Sequence, residues 1–121
     1  MEVHQLFIFV CYPKCSTCKK AKDLLDSLNV KYEIRDIKTN NPTFEELKVW
    51  VHLSKLPVSK FFNTSGILYR TLNLKDKIKS MSENECLELL ATDGMLVKRP
   101  ILVSEHRVLV GFKQNDWESV A

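Results

Sequence analysis

The chain has 121 residues, 45% of them hydrophobic and 27% charged, with three glycines and four prolines. That is an ordinary globular composition with enough length to bury a core, so a single domain over 1–121 is expected. The net charge of +3 is mild and the basic residues are spread along the chain, which leaves no footprint for direct nucleic-acid binding.

In chain order, LFIFVCY (6–12) is apolar but too short to span a bilayer. The leading MEVHQ carries an acid, no Lys or Arg, and no cleavage site after it. The reading therefore expects no signal peptide, no membrane partner and a cytoplasmic location, where cysteines stay reduced unless they react. QLFIFVC (5–11), aromatic and β-branched, predicts a buried strand that Pro13 ends. Ala21, Leu24, Leu25 and Leu28 fall on one face of a helix over 16–28, and VKYEIRDI (30–37) alternates as a second strand. Strand, helix and strand in so short a span make a βαβ unit with parallel strands.

A capping box from Thr43 to Glu46 opens a helix whose inner face is Phe44, Leu47, Trp50 and Val51. KLPVSKFFNTSG predicts a short helical turn closed by Gly66, followed by helical stretches over 67–72 and 75–81. A second capping box, Ser82 to Glu85, starts a helix through Leu87 and Leu90 that ends near Gly94. Two strands, 101–103 and 108–110, are separated by so few residues that they must form an antiparallel hairpin. The tail predicts a short helix capped by Asn115 or Asp116. This order matches an α/β thioredoxin- or glutaredoxin-like fold, a four-stranded mixed sheet with a helical insertion.

Cys11, Cys15 and Cys18 lie within FVCYPKCSTCKKAK. A C-x-x-C pair where a strand runs into a helix is suited to thiol exchange. Unpaired N–H groups at the helix start favour an anion, and Lys14, Lys19 and Lys20 add positive charge, so Cys15 is expected to attack as the thiolate. Cys18, a turn deeper, would resolve the adduct and leave an intramolecular disulfide. Zinc would need a second ligand pair, and His4, His52 and His106 are scattered. The spacing C-x3-C-x2-C also suits an iron–sulfur cluster, but a cysteine ending a strand and another inside a helix should point their sulfurs apart. Cys11 is expected to be a core or near-site thiol and Cys86 a packing residue.

YPKCSTCKKA, FFNTSGILYR, LLATDGMLVKRPILV and VLVGF together resemble the ArsC/Spx family of glutaredoxin-fold proteins, over about residues 6–118. The resemblance implies that Cys15 is the nucleophile, that Arg99 steadies the thiolate and a bound oxyanion, and that Pro100 is a cis-proline opposite the active-site loop. Asn63, Thr64 and Ser65 can donate hydrogen bonds to a small anion or peptide, or else cap a turn ending at Gly66. With Lys14 and Pro100 they make up the expected substrate-binding set, and Arg70 is expected to be buried and paired. Glutaredoxin-linked arsenate reductases of this family use three arginines. Here Asn63 and Gly111 stand where the first and third are expected, which predicts weak arsenate binding.

Two functions remain open. One is a thiol–disulfide oxidoreductase with no bound cofactor, acting on a small disulfide, thiol adduct or oxyanion, or on a redox partner protein, and drawing electrons from glutathione, glutaredoxin or thioredoxin. The other is an Spx-like redox-sensing regulator that binds RNA polymerase.

Overall fold

The computed structural model describes residues 6–121. His4 and the first residue of the expected strand lie outside the described residues. Strand β1 (Phe7–Cys11) pairs in parallel with β2 (Tyr32–Asp36), Phe9 opposite Ile34. Its other edge pairs antiparallel with β3 (Ile101–Val103), which continues the hairpin to β4 (Val108–Val110). The sheet order β2-β1-β3-β4 is the expected mixed four-stranded arrangement. β1 is hydrogen-bonded on both sides and covered on both faces, which is why it reads as an unbroken apolar run.

Period-two geometry sends Phe7, Phe9 and Cys11 to one face and Val10 to the other. On the first face, helix α1 (Ser16–Ser27) inserts Cys18, Ala21 and Leu25, and helix α6 (Gln114–Glu118) inserts Trp117. Trp117 meets Phe9 edge-on at 5.9 Å and donates its indole N–H to the Gly111 carbonyl at 3.0 Å. That anchor replaces the expected cap. The N-cap of α6 is Lys113, with no side-chain bond, and neither Asn115 nor Asp116 takes the role.

The other face carries the helical insertion: α2 (Phe44–Ser54), α3 (Ile67–Thr71), α4 (Leu74–Lys77) and α5 (Glu83–Leu90), around Leu47, Trp50, Phe61 and Leu87. Both predicted capping boxes form. Two predicted stops do not. Helix α5 ends at Leu90, and Gly94 instead opens a 3-10 turn packed so closely on β2's exit that an added Cβ would lie 1.7 Å from the Ile37 carbonyl oxygen. Gly66 closes no helix; it is the N-cap of α3, after a turn in which its N–H donates to the Asn63 carbonyl at 3.1 Å. Arg70, expected to be buried, is exposed at the end of α3. Among the described residues, no helix is long and apolar enough to cross a membrane.

Edge strand β2 is only partly covered, leaving Ile34 56% exposed. Its other face is held by Arg35, which lies over Trp50, bonds both oxygens of Glu46 and donates to the Asn40 and Asn41 carbonyls. Arg35 holds the Glu46 carboxyl down to about 2, against burial and with help from the Thr43 N–H. A carboxylate with a depressed folded value stabilises the fold above its ordinary range and loses that contribution as it protonates. Acid titration should therefore remove about 1 kcal/mol, a figure reduced for partial exposure, as pH falls from 4.5 to about 2. Glu46→Gln keeps the capping bond and should lose that acid-dependent component in urea melts across this range. Gly94→Ala should cost about 3 kcal/mol, read as a lowered Tm, because the new methyl has no room beside Ile37.

Candidate active site at the β1–α1 junction

Tyr12, Pro13, Lys14 and Cys15 form the turn that joins β1 to α1. The Cys15 N–H donates to the Tyr12 carbonyl at 2.9 Å, and Pro13 supplies the fixed φ that such a turn favours at its second position. Cys15 is the N-cap of α1, in extended backbone, and its carbonyl accepts the first helical bond from Lys19. Of the four cysteines, all described and all free, only Cys15 is not buried.

Cys18 sits one turn into the helix and is 3% exposed. Its sulfur accepts the Tyr12 N–H at 3.4 Å, which fastens the helix start to the strand end. Both other thiols of the motif are its neighbours. Donation to the Cys11 sulfur and burial push the Cys18 thiol far up, while the Tyr12 N–H and Cys15 act the other way. The same bond holds the Cys11 thiol below its ordinary value, against burial. Cys11 and Cys18 are thus buried in one cluster, with Cys15 packed at its rim. Among the described residues, no group of three or more His, Cys, Asp or Glu is arranged to hold a metal ion.

Cys15 opens onto a cavity of about 620 Å³. Opposite it stands the segment before β3. Phe62 and Val97 form an antiparallel bridge, the Asn63 N–H donates to Leu96 at 2.8 Å, and the Lys98 N–H donates to Phe61 at 2.7 Å. This zipper presents Asn63, Ser65, Lys98 and Arg99 to the cavity. The Arg99–Pro100 peptide is cis, as expected of that proline. The Arg99 guanidinium lies 5.1 Å over the Tyr12 ring, and its buried NH1 has no hydrogen-bond partner among the described residues.

The predicted set is therefore only partly gathered. Cys15, Asn63, Ser65 and Arg99 line the cavity, with Cys18 behind Cys15. Lys14 and Thr64 are exposed and do not line it, and buried Pro100 supports the wall without lining it. Asn63 directs its amide N–H toward the Met95 carbonyl at 3.5 Å, a bond that builds the wall. Lys98, Thr17 and Phe112 also line the cavity and were not anticipated. Lys98 was legible only as the neighbour of Arg99 in VKRP. Its role follows from Gly111, at φ +72°, where an added Cβ would lie 3.1 Å from Lys98 Cε.

Comparisons with known proteins agree with this geometry. A protein from Bacteroides fragilis, described as related to the ArsC family, superposes with a TM-score of 0.94 at 54% identity, covering 95% of this chain and 97% of that one. A structure described as a possible arsenate reductase from Streptococcus mutans superposes with a TM-score of 0.86 at 45% identity, covering 94% and 98%. The regulatory protein MgsR of Bacillus subtilis is 32% identical over 94% of this chain and 89% of its own length. The ArsC family model matches residues 11–120, from the last residue of β1 to the tail beyond α6, and the chain belongs to the ArsC family.

Proposed function

We propose that the chain is a thiol–disulfide oxidoreductase with Cys15 as nucleophile and Cys18 as resolving thiol. The observation that carries this reading is the division of exposure: Cys15 faces the cavity, and Cys18 touches it from behind while shielded from solvent. The Cys15 thiolate attacks one sulfur of a substrate disulfide, forming a mixed disulfide and releasing the other half as a thiolate. Cys18 then attacks the Cys15 sulfur, releases the second half, and leaves a Cys15–Cys18 disulfide. An external thiol donor (glutathione, glutaredoxin or thioredoxin) returns both cysteines to thiols.

The cavity favours an organic disulfide or thiol adduct over arsenate. Its volume of about 620 Å³ lies in the range of sites for drug-sized ligands, and Ile67, Leu68, Met95 and Phe112 give it apolar walls. Arg99, with one N–H group unpartnered, and Lys98 suit a carboxylate on the substrate. Arsenate, a small dianion, would meet one of the three arginines that the resemblance requires.

Similarity to MgsR, a protein named as regulatory, favours the Spx-like reading of the resemblance as a second one: a redox sensor whose Cys15–Cys18 disulfide alters a surface that binds RNA polymerase. Pull-down of the polymerase by reduced and by oxidised protein separates the two, since an enzyme without this role retains none in either state.

Three variants test the enzyme. Cys15→Ser should abolish reduction of hydroxyethyl disulfide, whereas Cys18→Ser should accumulate a mixed disulfide at Cys15, visible as an intact-mass increment. Arg99→Gln should lower kcat/KM for an anionic disulfide roughly 10- to 100-fold, the loss expected for one or two charge-assisted bonds. Its rate with neutral hydroxyethyl disulfide should barely change. Equal losses on both substrates would remove Arg99 from substrate binding.

A further inference from the structure

Cys11 is the one thiol of the motif that the exchange cycle above leaves unused, and its position is unlike that of a packing residue. It ends β1 on the face that meets α1, 6% exposed, in one buried cluster with Cys18, while Cys15 packs on the rim of that cluster. The Tyr12 N–H, one residue beyond Cys11, points at the Cys18 sulfur. Cys18 shares that buried cluster with Cys11 and neighbours Cys15 at its rim, so it stands between the two. Cys86, by contrast, is buried on α5 in the cluster across the sheet, and burial alone is the main influence on its thiol, which it pushes up.

We infer that Cys11 is a third redox thiol, which accepts the disulfide from Cys15–Cys18 and stores it as a buried Cys11–Cys18 bond. The inference rests on the thiol-exchange reading of Cys15 and Cys18. In the resolving step, Cys18 attacks the Cys15 sulfur of the mixed disulfide and gives up its proton to the departing substrate thiolate. Once Cys11 has lost its own thiol proton to solvent, its thiolate attacks the Cys18 sulfur. The Cys11–Cys18 bond forms, the Cys15–Cys18 bond breaks, and the electron pair leaves on Cys15 as a thiolate. Disulfide number is conserved and no further oxidant is required. The nucleophile at the cavity is thereby reset, while the oxidising equivalent lies in the core, shielded from small thiols.

Trypsin makes the two disulfides separable. Cleavage after Lys14 and Lys19 puts Cys11 on peptide 1–14 and both Cys15 and Cys18 on peptide 15–19. Cys15–Cys18 is therefore a bond within one short peptide, and Cys11–Cys18 a link between two. The full chain is oxidised with oxidised glutathione, quenched in acid, alkylated with N-ethylmaleimide and digested.

The expected product is the 1–14/15–19 pair with the alkyl label on Cys15. Cys11→Ala should stop at the Cys15–Cys18 bond, its fold checked by circular dichroism. Cys15→Ser should form the inter-peptide link roughly a hundredfold more slowly, because glutathione then has no exposed thiol to meet. An oxidised wild type holding only the Cys15–Cys18 bond, with Cys11 alkylated after unfolding, overturns the role of Cys11 and leaves the oxidoreductase reading standing. Cross-linking of Cys15→Ser at the wild-type rate also overturns it, and absence of any bond among the three cysteines overturns both readings.

Discussion

The site depends on where β1 is forced to stop. That strand is the only one of the four paired on one side in parallel and on the other antiparallel, so its end is fixed from both edges. The chain then turns at Pro13 and restarts as a helix at Ser16, and one sulfur joins the two pieces, since the Tyr12 N–H donates to Cys18. Packing of Ala21 and Leu25 on the Phe7 and Phe9 face sets the direction of α1. A fully buried leucine contributes about 2 kcal/mol. The thiols are therefore held by the sheet and the core, with little left to the loop, which suits chemistry that loses rate steeply with small misplacements.

The opposite wall is built on the same logic with different parts. The residues after Phe61 and those before Arg99 are far apart in sequence, yet they zip together as an irregular two-stranded ribbon. This explains why the arginines of the arsenate-reducing pattern are not simply missing. Asn63 has a wall-building bond to Met95, and Gly66 packs against its amide. Gly111 occupies a left-handed conformation that side chains rarely adopt, with the Lys98 stem across it. An arginine placed there would be strained and would displace Lys98. The cationic side chains that line the cavity are the adjacent pair Lys98 and Arg99, on one side of the site.

The sequence revealed what is local and periodic. The two capping boxes, the βαβ unit and the hairpin all formed, because each is set by residues three or four apart, by alternation, or by a connection too short for another geometry. It concealed what depends on remote partners. Helix α6 has a weak start and is held by Trp117 through Phe9 and the Gly111 carbonyl. Gly94 resembled a helix stop, whereas its lack of a side chain serves contact with Ile37, far earlier in the chain. Arg70 looked like a buried partner while Arg35 filled that role, since only the folded edge strand shows which arginine meets Glu46 and Trp50. At the site, Cys15, Cys18 and Arg99 were legible from motif and resemblance, but Lys98 and the meeting of Cys11 with Cys18 were not.

That meeting clarifies how the thiols divide their work. A resolving thiol that ionised readily would compete with the nucleophile for substrate and would repel its negative charge. In the proposed cycle Cys18 avoids both, because its burial beside Cys11 keeps the thiol protonated until a bond forms at Cys15. The Tyr12 N–H works in the opposite sense, ready to accept charge on the Cys18 sulfur as the proton leaves. A backbone N–H aimed at a buried sulfur favours the charge that appears there as the proton leaves. This arrangement follows from one cysteine ending a strand and another lying one turn into the next helix, and it makes the junction more than a C-x-x-C pair.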